Sequence, residues 1–212
     1  MKEVIVVRHG ETDWNAEGRI QGHQESSLNE RGRAQAAALE KRFESERIDE
    51  LYSSDLQRTL DTARPISEAT GVEIRTDERL REWKLGRLET LSINEARERE
   101  PEALRIYEEG DPDVVIPEGE SIRQRFERCT SCLKEIVERH GNARVVVVTH
   151  GGILDDFYRH VSGIALDADR DWPLYNAGVN TLRIEDGRLR IKSWGDTGHL
   201  GGIGAMADWK GE

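Results

Sequence analysis

The chain has 212 residues, 31 of them Lys or Arg and 42 Asp or Glu, for a formal net charge of −11. So acidic a balance lacks the broad basic surface that nucleic acids and anionic membranes require, so neither is an expected partner, although a few arginines in one pocket suffice for a small anion. No apolar run approaches the roughly 20 residues that span a bilayer, and the first residues do not form a secretion signal, so the expectation is a cytoplasmic protein folded as one domain over residues 1–212.

Val4–Val7 is a continuous β-branched run and predicts a buried strand. Glu30–Glu44 predicts a helix with Ala34, Ala37, Ala38 and Leu39 on one side. Asp49–Ser53 predicts a short strand. Leu56 to about Thr70 predicts a helix capped by Ser54 or Asp55, bent or split at Pro65 and closed by Gly71. Val72–Arg75 predicts another strand. Ser92–Glu95 and Ser121–Gln124 both carry the capping-box pattern, so each announces a helix. Between them, GDPDVVIPEGE has the Gly and Pro of a surface loop. Arg144–Thr149 predicts a second β-branched strand, followed by a helix over Gly152–Val161. Two alternating runs, Asn180–Glu185 and Leu189–Trp194, flank Asp186-Gly187, a hairpin signal. Strands alternating with helices predict a three-layer α/β/α sandwich on a mostly parallel sheet, with the closing hairpin as an antiparallel edge.

The two cysteines, Cys129 and Cys132, form a CxxC. A redox pair is favoured at a helix N-terminus, where the dipole stabilises thiolate. These two lie in the middle of ESIRQRFERCTSCLKEIVERH, which reads as one long helix, so they are expected to be structural thiols without a disulfide.

The two β-branched strands end alike, in Arg8-His9-Gly10 and in Thr149-His150-Gly151. Strand C-termini of a parallel sheet share one edge, and ligands bind there. His9 and His150 are therefore expected to face one crevice, with Gly10, Gly151 and Gly152 letting backbone approach a ligand. Arg58 falls about one turn into the helix that follows the third strand at that edge. Two guanidiniums offer bidentate donors to an oxyanion, and two imidazoles offer a nucleophile, a base or a further donor. Asn15 and Gln21-Gly22, in the loop after the first strand, add neutral donors. The pattern points to a phosphate pocket, and the absence of GxxxxGK[ST] argues against a nucleotide P-loop. A lone histidine or arginine is ordinarily structural or solvated, but Arg8 and His9 together at the mouth of a buried strand are costly to bury unpaired. Metal binding needs a third ligand, and two nearby arginines repel a cation, so no metal and no cofactor are expected. His23, His140, His160 and His199 read as loop or helix-end residues.

RHGETDWN resembles the RHGE signature of the histidine phosphatase superfamily, also called phosphoglycerate mutase-like. The similarity continues through IQGH, LNERGRAQA, SSDLQRTLDTA, LREWKLG and VVTHGG, in order over nearly the whole chain. The resemblance implies that His9 is the nucleophile that becomes phosphorylated, and that Arg8, Arg58 and His150 hold phosphate. It implies that Asn15, Gln21 and Gly22 contact phosphate or substrate and that Glu82 donates the proton. Nothing in the residues alone selects Glu82 among 42 carboxylates. His150 is expected to be cationic, and His9 to sit in a solvated crevice.

The superfamily divides into hydrolases and cofactor-dependent phosphoglycerate mutases, which resemble one another in a proline-rich segment after the acid. Here Lys84 to Glu120 has only scattered prolines, and the tail WGDTGHLGG resembles the broad-specificity and metal-independent phosphoserine phosphatase-like branch. The expected activity is metal-independent hydrolysis of a small phosphomonoester through a phosphohistidine. A mutase is the alternative, and a non-catalytic phosphate-binding module the third reading. Thr90 stands where related phosphatases have glycine, so the loop beside Glu82 is expected to take a different path. Asp111–Glu120 and the tail from His199 are the segments expected to select substrate. The last strands leave a homodimer open.

Overall fold

A computed structural model describes residues 3–140, 143–185 and 187–206. The first strand, β1 (Glu3–Arg8), is followed by the short helix α1 (Asp13–Glu17), α2 (Glu30–Phe43), β2 (Glu50–Ser53), α3 (Gln57–Thr70) and β3 (Ile74–Thr76). Helices α4 (Ile93–Arg99), α5 (Pro101–Glu109) and α6 (Ile122–Arg139) precede β4 (Arg144–Thr149), α7 (Gly151–Ser162), β5 (Val179–Glu185) and β6 (Arg188–Asp196). The six strands lie in the order β3-β2-β4-β1-β5-β6. The pairs among the first four are parallel, while β5 and β6 are antiparallel, as the hairpin signal predicts. Asp186 of that signal lies outside the described residues.

The β-branched runs are buried on both faces, and their alternation builds two cores. Val4, Val6, Val145 and Val147 pack with Cys129, Leu133 and Ile136 of α6 and Ile153, Leu154 and Phe157 of α7. Ile5, Val7, Val146 and Val148 pack with Leu39 and Phe43 of α2 and Ala63 and Ile66 of α3. That is the expected sandwich. A third cluster, with Ile20, Leu85, Leu88, Ala96, Leu104 and Ile116, supports the polar middle of the chain.

Both capping boxes form, at Ser92 and at Ser121. The expected cap of α3 does not. Leu56 is its N-cap, without a side-chain bond, because Asp55 is drawn to Arg81 at 2.7 Å and Ser54 to His150 at 2.9 Å. Pro65 does not split α3, which runs unbroken to the left-handed Gly71. Pro65 and Asp61, whose carbonyl loses its helical partner there, are both only half-buried. Cys129 and Cys132 are buried and reduced, and burial pushes the Cys132 thiol up to about 12, as inert structural thiols require. In the tail, Gly198–Ile203 makes a short turn with Leu200 buried in the α2 side of the core. Residues 207–212 lie outside the described residues. No described helix is long and apolar enough to cross a membrane.

Candidate active site

The register of the parallel strands sets the geometry. Arg8 pairs with Thr149 and Ser53 with Val148, so the next residues, His9, His150 and Ser54, meet at one edge. The His9 amide donates to Thr149 O at 2.9 Å and that of Ser54 to Val148 O at 3.0 Å, extending the ladder to that edge. The imidazoles of His9 and His150 stand edge to face, 5.3 Å between centroids. His9 Nδ1 lies 2.7 Å from Gly10 O. A carbonyl only accepts, so Nδ1 carries the proton and Nε2 keeps a lone pair. Gly10 is required where it is: a Cβ there would stand 2.7 Å from Gly32 O at the start of α2.

Two expectations are corrected here. His9 is 2% exposed and His150 is 0%, so neither faces a solvated crevice. Burial, then the Arg58 and Arg8 charges, hold His9 well below the usual imidazole range. Burial, Arg58 and His9 do the same to His150, so it is neutral rather than cationic at pH 7.

Arg58 is fully buried on α3 and donates to Gln24 O and Gly22 O, both at 2.8 Å. Burial brings its guanidinium down to about 10, still charged at neutral pH. Gly22 therefore contributes its carbonyl to holding Arg58. Arg8 is also buried, and its Nη1 donates to Leu174 O. Arg58 Nε and His150 Nδ1 are buried without a hydrogen-bond partner among the described residues. Buried polar groups left unpaired need a reason, and two such atoms beside His9 suit an incoming oxyanion. Asn15, expected in a loop, lies in α1, where its Oδ1 accepts from the Thr12 amide at 3.2 Å, and Gln21 lies in the segment after that helix with its side-chain amide 3.1 Å from Thr12 Oγ1. Asn15 thus has its amide nitrogen to offer an anion.

Glu82 reaches the same edge from the segment between β3 and α4. Its carboxyl group accepts from the Gly152 amide at 3.2 Å on both oxygens, in the first turn of α7. Gly152 makes this approach possible, since a Cβ there would stand 2.4 Å from Glu82 Oε1. Gly151, ahead of it, opens α7 directly after His150. Thr90 sits at φ +75°, a conformation glycine adopts freely and threonine does not. Thr90 therefore carries backbone strain that a glycine there would not.

Several side chains at the site were given no role from the sequence. His23, read as a plain loop residue, donates from Nε2 to Glu82 O at 2.7 Å. Arg128 donates to the same carbonyl at 2.7 Å. Asn176 is 1% exposed and donates to His9 O at 3.0 Å. All three act on backbone oxygens across the fold, so neither Arg128 nor Asn176 has a local motif, and the IQGH motif that holds His23 does not state its partner. Trp83 donates to Glu120 O at 2.8 Å and packs against Tyr107 and Arg125, so it lies under the loop. Among the described residues, no three His, Cys, Asp or Glu side chains group so as to hold a metal ion.

Residues 4–197 match the family described as histidine phosphatase superfamily (branch 1). The chain belongs to that superfamily. It is similar to Phosphoglycerate mutase-like protein 4 of Arabidopsis thaliana, 42% identical over 93% of this chain and 86% of that protein. It is also 41% identical to the Metal-independent phosphoserine phosphatase of Arabidopsis thaliana, over 96% of this chain and 85% of that one. Among solved structures it resembles Bacillus stearothermophilus YhfR, with a TM-score of 0.85 and 32% identity over 93% of this chain and 98% of that one. These likenesses agree with the sandwich and its antiparallel edge, and with the histidine phosphatase enzyme class expected from RHGE and VTHGG.

Proposed function

We propose that residues 1–212 act as one domain that hydrolyses a small phosphomonoester through a phosphohistidine on His9, without a metal. The observation that carries the reading is the locked ring of His9. Its Nδ1 is tied to Gly10 O, its Nε2 keeps the lone pair, and its charge is suppressed by burial and two arginines. A neutral, oriented imidazole is the nucleophile this chemistry requires.

In the first step Nε2 of His9 attacks phosphorus, the P–O bond to the leaving group breaks, and Glu82 gives its proton to the departing oxygen. In the second, Glu82 takes a proton from water, the water oxygen attacks phosphorus, and the N–P bond breaks to restore neutral His9. Arg8 and Arg58 balance the charge on the equatorial oxygens, with Arg58 Nε and His150 Nδ1 as buried donors. Asn15 and Gln21 add neutral donors, and Gly22 holds Arg58 in place. The similarity to a metal-independent phosphoserine phosphatase supports hydrolysis. The similarity to a mutase-like protein keeps the isomerase reading as the alternative.

The test is phosphate release from a phosphomonoester panel in EDTA, for wild type and His9→Ala. Release that persists in EDTA and drops at least 1,000-fold in the variant is expected, the loss typical of removing a nucleophile. Comparable turnover in the variant sinks the nucleophile assignment. Rapid conversion of 3-phosphoglycerate to 2-phosphoglycerate with added bisphosphoglycerate selects the mutase instead.

A further inference from the structure

We propose that Arg128 is a positioning residue for Glu82, tying the proton donor to the segment that precedes α6. The inference rests on the reading of Glu82 as that donor.

All five N–H bonds of the Arg128 guanidinium are engaged. Nη1 donates to Arg79 O at 2.8 Å and to Arg81 O at 2.7 Å, and Nη2 to Glu82 O at 2.7 Å. Nε and Nη2 also grip the Glu120 carboxylate, at 3.0 and 2.5 Å. Glu120 then holds the residues after the acid. Its Oε1 accepts from Lys84 N at 3.0 Å, its amide donates to Lys84 O at 3.0 Å, and its carbonyl accepts from Trp83 Nε1 at 2.8 Å. Backbone or side-chain groups of residues 79, 81, 82, 83 and 84 are thus bound to one ion pair. That pair is largely sheltered, with side-chain exposures of 20% for Arg128 and 15% for Glu120. Charge-assisted bonds in such a place are stronger and more directional than exposed ones.

The Glu82 carbonyl receives a second donor, His23 Nε2, so its peptide is fixed from two sides. The carboxylate end is set by Trp83 N at 2.8 Å and Gly152 N. A general acid must sit within hydrogen-bond reach of the leaving oxygen, and a displacement of about 1 Å costs on the order of 100-fold. Glu120 ends the segment Asp111–Glu120, so the acid's placement is coupled to the segment expected to select substrate. Lysine cannot replace the fork, because it presents three donors from one point.

The readout is the ratio of kcat/KM on p-nitrophenyl phosphate, whose leaving group needs little protonation, to kcat/KM on β-glycerol phosphate, whose alkoxide needs a full proton; kcat/KM reports the first step alone and is untouched by the shared hydrolysis of the phosphohistidine. Glu82→Gln raises this ratio on the order of 100-fold, the usual scale of general acid catalysis. Arg128→Lys and Glu120→Gln raise it by about tenfold or more, with KM on p-nitrophenyl phosphate little changed. Adding Arg128→Lys to Glu82→Gln raises it no further. A role confined to folding slows both esters alike: an unchanged ratio in Arg128→Lys and Glu120→Gln, with Glu82→Gln responding, overturns the proposal. An unchanged ratio already in Glu82→Gln overturns the general-acid reading beneath it.

Discussion

Thr90 carries a strain that a glycine there would not. Left-handed backbone costs a residue with a Cβ about 1–2 kcal/mol, and β-branching makes it a poor occupant. The fold holds it there because the Thr90 amide donates to Ile20 O at 2.8 Å and its carbonyl accepts from Arg19 at 2.9 Å. Thr90→Gly releases the strain but gives the unfolded chain more freedom to lose. The expected net gain is about 1 kcal/mol, read as a higher urea midpoint with an unchanged slope. No gain would mean that Thr90 makes compensating contacts. The departure was legible in the motif, but its sign was not, because nothing local says which backbone angles the loop must keep.

At the scale of the element, α6 and α7 are joined by a buried ion pair. Arg125 holds Asp156 with two bonds, 2.7 and 2.9 Å, at side-chain exposures of 5% and 0%. Removing one partner strands the other charge in the core. Asp156→Ala is therefore expected to destabilise by about 3–5 kcal/mol, and the double replacement Arg125→Met with Asp156→Leu by much less. Comparable losses in the single and double variants, measured by urea unfolding, would show that packing rather than charge governs the site. The helices themselves were readable from caps and periodicity. The partnership of Arg125 with Asp156 was not, since they approach only when both helices dock on the same face of the sheet.

For the molecule as a whole, the neutral buried imidazoles link stability to pH. His9 and His150 are both held well below their ordinary value of 6.5. As pH falls below about 6.5 the unfolded chain takes up protons that the folded site refuses, so this contribution is full above that value and is lost on acidification. Burial also holds His23, His160 and His199 below that value, and they add to the same loss. The unfolding free energy is expected to drop by on the order of 2 kcal/mol between pH 7.5 and pH 5.5. Flat stability over that range would show that His9 and His150 accept protons in the folded site.

Sequence alone determined the order of the strands and of the helices other than α1 and α5, the double-sided burial of β1 and β4, and the RHG and THG endings that bring His9 and His150 to one edge. Those features are local: a β-branched run is buried on both faces wherever it sits in a parallel sheet. Arg58 was legible for the same reason, one turn after a strand that ends at that edge. Glu82 was reached only through family resemblance, because a carboxylate in a polar loop has no local mark of its role. Tertiary structure alone decided the charge of His150, the use of the Gly22 carbonyl to anchor Arg58, and the bonds from His23 and Arg128 to Glu82 O. Each depends on desolvation or on a backbone oxygen supplied by a distant segment, and those exist only once the layers are packed.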